Sequence, residues 1–119
     1  MFKNHKEKKY LNGVLKYVQE QIWNGKYARE KLRAIREHIR QNYDFHSEQL
    51  RGVNDGLAKE GLPEEAKLSF EKKQEELQKQ VEGLKQNLAE WDGKIEAKEN
   101  EIKGLRSELE MLTQYIKQV

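Results

Sequence analysis

Cysteine is absent from the 119 residues, proline occurs once and histidine three times. Without cysteine there is no disulfide, no thiolate metal site and no cysteine nucleophile. Redox chemistry therefore does not indicate a compartment. No apolar run approaches the length of a membrane span, and Met1 to Tyr10 lacks the apolar core of a signal peptide. A cytoplasmic protein is the default expectation. The histidines, His5, His38 and His46, include no pair at the three- or four-residue spacing of a helical zinc site. His38 reads as a surface residue and His46 as a buried or boundary residue. Ser47, Ser69 and Ser107 stand in no G-x-S-x-G setting, and the glycines form neither G-x-G-x-x-G nor a P-loop. The many glutamates lie on solvated faces, and a pair of carboxylates carries no chemistry without a pocket to shift its pKa values. The expectation is a non-enzyme with no cofactor and no bound metal.

Charge and periodicity are what the chain has instead. Charged residues make up 37% and hydrophobic ones 35%. High charge with strict periodicity is the mark of long helices. From Met1 to His46 there are 11 Lys/Arg and 5 Asp/Glu, a net of +6; from Ser47 to Val119 there are 12 and 16, a net of −4.

The strongest pattern runs from Lys67 to Val119. With Lys67 at heptad position a, thirteen of the 16 a and d positions are apolar. Of the 37 residues between them only Leu68, Ala89, Ala97, Met111 and Tyr115 are. That contrast defines a coiled-coil seam. Lys67, Gln74 and Lys98 are the polar seam positions, suited to fixing register. Gly83, Gly93 and Gly104 fall at c and f, away from the seam.

Upstream, the spacing of Tyr10, Leu11, Val14, Leu15, Val18 and Ile22 predicts an amphipathic helix A over about 6–24. Asn24-Gly25 reads as its stop, since both residues tolerate a left-handed conformation. Helix B follows over about 27–60, on a stripe of Ala28, Leu32, Ile35 and Ile39. It is read as continuous or merely kinked through Tyr43–Ser47. Leu57 to Glu65 signals a helix end and a new start: Gly61 as left-handed terminator, Pro63 opening the next helix, Glu64 and Glu65 at its positive end. The chain divides into a basic helical region, 1–62, and a long heptad helix, 63–119.

The expected fold is all-α: a helical hairpin or bundle of A, B and the first half of the heptad helix, continued by a long C-terminal coiled coil. Helix B reaches back along the heptad helix only to about Ala97. Leu105 onward lies beyond that reach, and the oligomerisation seam of Ile95, Ile102, Leu105, Leu109, Leu112 and Ile116 is expected to meet a second chain. Lys94 with Glu99, and Glu101 with Arg106, are opposite in sign, as suits a parallel pair. A dimer of hairpins with a shared core is the competing arrangement, and strand order stays open.

Two functions are compatible with this. One is a homo-oligomeric, dimeric by preference, coiled-coil scaffolding or adaptor protein that binds a protein partner. The other is a nucleic-acid-binding dimer. Its contacts would come from Lys26, Arg29, Lys31, Arg33, Arg36 and Arg40, interleaved with Trp23, Tyr27 and Tyr43. Lysine and arginine neutralise phosphates, and aromatics stack on unpaired bases. The bland alternative for this cluster is a solvated face with snorkelling stems, Tyr27 and Tyr43 belonging to the core. A membrane-surface role for helix A is disfavoured, because its apolar face serves equally well in a bundle.

Overall fold

The computed structural model describes residues 2–119. Among them the chain is all-helical, with two elements: α1 (Phe2–Leu57) and α2 (Glu64–Gln118). Two compact units form. One joins the chain up to Arg33 with Gly93–Val119, and the other comprises Ala34–Asp92. In each unit a segment of α1 lies antiparallel to a segment of α2.

The expected stop at Asn24-Gly25 is not there. Helices A and B are one helix, α1, which runs through Tyr43–Ser47 as well. The physical reason is at Gly25. This residue is buried, and a Cβ built on it would stand 3.0 Å from Ile102 Cγ1. Glycine serves here as a notch that lets α1 and α2 approach, with no left-handed turn. The cost of a helical glycine, about 1 kcal/mol against alanine, is offset by the burial of Ile102, which is 1% exposed and gains about 2 kcal/mol or more from leaving water.

Around this notch sits the core of the first unit. Val18, Ile22 and Ile102 are buried, with Val14, Leu105, Leu109 and Leu112 packed against them. The seam beyond Ala97 is therefore covered by the chain's own α1. The reach argument that left Leu105 onward bare rested on a turn at Gly25 that the chain does not make. Ile95 is buried in the same unit, and Ile116 is half-buried. Tyr10 is a second correction: it was read onto the apolar face but is 72% exposed. It lies one position ahead of Leu11, about 100° round the helix.

In the second unit Leu77 is fully buried. Gly56 repeats the notch, a Cβ there standing 3.2 Å from Phe70 Cζ. Gln74, a polar seam position, donates from Nε2 to Asn54 Oδ1 at 2.7 Å. This bond joins the two helices and fixes their register.

The reversal of the chain follows the sequence signals closely. Gly61 takes φ of 74°, the one left-handed backbone among the described residues. Pro63 presents the carbonyl that accepts from the Lys67 amide at 3.0 Å, and Glu64 and Glu65 occupy the first turn of α2. α1 ends at Leu57, short of the expected Glu60. Its last carbonyls are met early, Asn54 O by the Ala58 amide and Gly56 O by the Lys59 amide. The second of these is a tighter, three-residue bond, which closes the helix.

The notch makes a testable contrast. Gly25→Ala lowers stability in urea denaturation, because the stiff, buried Ile102 has no room to yield. Gly93→Ala, where nothing lies within 4 Å of the new Cβ, raises stability by up to about 1 kcal/mol.

Candidate interaction surfaces

The arginines of the basic cluster are engaged within the protein. Arg33 Nη2 donates to Glu99 Oε1 at 2.8 Å, joining α1 to α2 in the first unit, and its Nη1 donates to Glu30 Oε1 at 2.7 Å. The bond from Glu99, with further help from Glu30, holds the Arg33 pKa above its ordinary value. In the second unit Arg36 Nε donates to Asp92 across the two helices. Arg40 bridges Glu37 and Asp44 on its own helix, at 3.0 Å to Glu37 Oε2 and 2.7 Å to Asp44 Oδ2. The pair shifts both partners: Arg40 is raised and Glu37 lowered, chiefly by the hydrogen bond between them. Arg29 lies 3.4 Å from Glu30. The spacing that suggested a basic ridge is matched, arginine by arginine, with carboxylates.

The lysines differ. Lys31 Nζ sits 4.6 Å over the Tyr27 ring, a cation–π contact. Lys26 is half-buried and shares a shallow hollow with Trp23, Tyr27 and Glu30. Neither lysine pairs with a carboxylate among the described residues. Tyr27 and Trp23 are exposed, against the expectation that Tyr27 joins the core, while Tyr43 is half-buried.

Four of the six seam residues, Ile102, Leu105, Leu109 and Leu112, come together in the first unit's internal packing, while Ile95 is buried and Ile116 half-buried in the same unit. Lys98, the polar seam position among them, is half-buried and donates to Glu101 Oε2 at 2.9 Å on its own helix.

One surface escaped the sequence reading. On the outer side of α2, Gly104, Ser107, Glu108, Met111, Leu112 and Tyr115 line a shallow, mainly apolar furrow. Met111 is 72% exposed, and Tyr115 is held by a 3.3 Å hydrogen bond from its hydroxyl to Glu7 Oε1 on α1. The signal was present as two of the three large apolar residues outside the seam, Met111 and Tyr115, four apart on one face.

Among the described residues no group of three or more His, Asp or Glu could hold a metal ion. His46 is half-buried, its Nδ1 at 2.7 Å from the Asn42 carbonyl, which accepts its proton; His38 is exposed. No described helix is long and apolar enough to cross a membrane. No family model matches the chain, and no characterised protein or solved structure matches it either.

The Glu37–Arg40 bond predicts a titration. A carboxylate whose folded pKa is depressed stabilises the fold above its unfolded pKa, and that contribution is lost as pH falls through the folded value. Carbon-detected NMR should find Glu37 titrating below the ordinary glutamate range. In Arg40→Gln it returns toward that range, because the largest cause of the shift is removed.

Proposed function

We propose that this chain is a non-enzymatic interaction protein, an adaptor that holds a protein partner on the outer furrow of α2. The observation that carries the reading is that furrow itself. Met111 and Tyr115 stand in water beside Gly104, where nothing of the chain's own lies within 4 Å of a would-be Cβ. Bare glycine and serine at Gly104 and Ser107 let another backbone come close, and the flanking apolar groups supply burial once it does. An amphipathic helix is the partner element that fits, since it offers apolar residues at the same three-and-four spacing.

The a/d seam has a different role in this reading. Ile102, Leu105, Leu109 and Leu112 hold α2 to α1 of the same chain, so subunit pairing through them would require α1 to leave. Self-association, including a dimer, therefore uses the outer faces, and a second copy is one protein able to occupy the furrow.

Two variants separate these roles. Met111→Asp abolishes capture of the partner and leaves the thermal melt unchanged, while Met111→Leu retains capture; the captured protein, purified, must rebind wild type in a binary assay. Leu105→Asp with Leu112→Asp abolishes the cooperative melt. Light scattering identifies the partner class: a dimer that Met111→Asp converts to a monomer marks the partner as a second copy. A folded, helical monomer from the Leu105/Leu112 double variant, or unchanged partner capture by Met111→Asp, contradicts the reading.

A further inference from the structure

The outward face of α1 in the first unit carries a pattern that the furrow on α2 does not use. Tyr10, Tyr17, Trp23 and Tyr27 are all exposed, between 61% and 72%. At 3.6 residues per turn, Tyr10 and Tyr17 share a line with Gly13 and Asn24. Tyr27 lies one side of that line and Trp23 a little further round, opposite the buried Val18 and Ile22. Lysines recur between the rings. Lys6, Lys9 and Lys16 are exposed and pair with no carboxylate among the described residues. Lys31 is exposed too, its ammonium over the Tyr27 ring. Glu20 lies on this arc, and Glu30, which pairs with Arg33, stands at its Trp23 edge. From Lys6 to Arg33 there are eight Lys/Arg and three Glu, a net of +5.

The exposed rings set between the lysines make this more than a solvated face. Arg33, Arg36 and Arg40 are each bound to acids. The lysines upstream are left without them, although lysine and glutamate at helical spacing pair readily. Positive charge that is unmatched by the protein, alternating with flat rings on the same arc, complements a flexible polyanion with flat bases. Lysine meets its phosphates and the rings stack on its bases. A membrane surface suits this arc less well. Interfacial helices put lysine and aliphatic bulk on opposite faces, and here the aliphatic residues Val14, Val18 and Ile22 are turned against α2. A rigid duplex suits it less too, because its bases are already stacked and hidden.

We infer that the Lys6–Lys31 face of α1 binds single-stranded nucleic acid, lysine to phosphate and tyrosine or tryptophan to base. This site is separate from the α2 furrow and does not depend on the partner proposed there. The arginine cluster first suggested by the sequence is not the contact surface.

The test is a titration of the full chain with single-stranded DNA and RNA of about 16 nucleotides. Duplex of the same sequence and vesicles containing anionic phospholipid serve as comparisons. Trp23 fluorescence and polarisation of a labelled oligonucleotide are the readouts. Single strands are expected to bind more tightly than duplex and to change the Trp23 emission. Affinity should fall with salt at a log–log slope of about −3, for four lysines at about −0.7 per phosphate. Tyr17→Ala with Tyr27→Ala lowers affinity about tenfold or more, in line with the loss of two stacking platforms. Lys9→Gln with Lys16→Gln lowers it and flattens the salt slope. Both variants keep the wild-type circular dichroism, since the four side chains are exposed, and Arg36→Gln leaves affinity unchanged. Absence of binding at about 50 mM salt overturns the inference. So does equal binding of duplex and single strand with no effect of the tyrosine variant, or binding confined to the vesicles.

Discussion

The close approach of α1 to α2 at Gly25 and Ile102 is the constraint on which the first unit depends. A side chain at residue 25 would hold the helices apart. Its absence lets Ile102 enter between Val18 and Ile22 and brings Leu105, Leu109 and Leu112 into the same packing. A helix with a wet apolar stripe must find cover, and the cover here is the first half of α1. The second unit solves the same problem in the same way, with Gly56 beneath the Phe70 ring. In both, glycine is placed where two helices meet, at Gly25 in mid-helix and at Gly56 one residue before α1 ends.

The charges follow from that packing. Once α1 runs antiparallel to α2, Arg33 meets Glu99 and Arg36 meets Asp92. Pairs this exposed are worth little individually, but they use up cationic charge and help set which residues face each other. The lysines near the start of α1 stay unmatched, as do Lys67, Lys72, Lys73 and Lys85 on α2 among the described residues. The outer surfaces are thus sorted by chemistry: lysine and aromatic rings on α1 of the first unit, and an apolar furrow on its α2. The α2 furrow borders the packing, since Leu112 serves both and Tyr115 bonds to Glu7, while Met111 and the rings of α1 stand in water.

Much of this was legible in the residues. The three buried residues of α2, Leu77, Ile95 and Ile102, are among the thirteen apolar a/d positions, and Gly61 with Pro63-Glu64-Glu65 located the reversal. Misread was the meaning of Asn24-Gly25. The same two letters end a helix when glycine turns left-handed and continue it when a neighbouring helix needs room. Only Ile102, far along the chain, decides between the two. From that one misreading followed the uncovered tip of the heptad helix and the demand for a second chain. The basic cluster was misjudged for a related reason: Glu99 and Asp92 reach Arg33 and Arg36 only after α2 has folded back, so local spacing shows the cations without their partners. Tyr10 was lost to a neighbour, since in a run such as Tyr10-Leu11 periodicity alone does not say which residue faces inward.

The most direct test of the account is the proton contact between Gly25 Hα and the Ile102 methyl groups. It would be measured by nuclear Overhauser spectroscopy on uniformly labelled protein and again, with isotope filtering, on a mixture of labelled and unlabelled chains. The account predicts a strong cross-peak in the first sample, none between chains in the second, and helical carbon shifts unbroken through Asn24-Gly25-Lys26. A cross-peak that arises between chains, or a break in the helical shifts at those three residues, would contradict it.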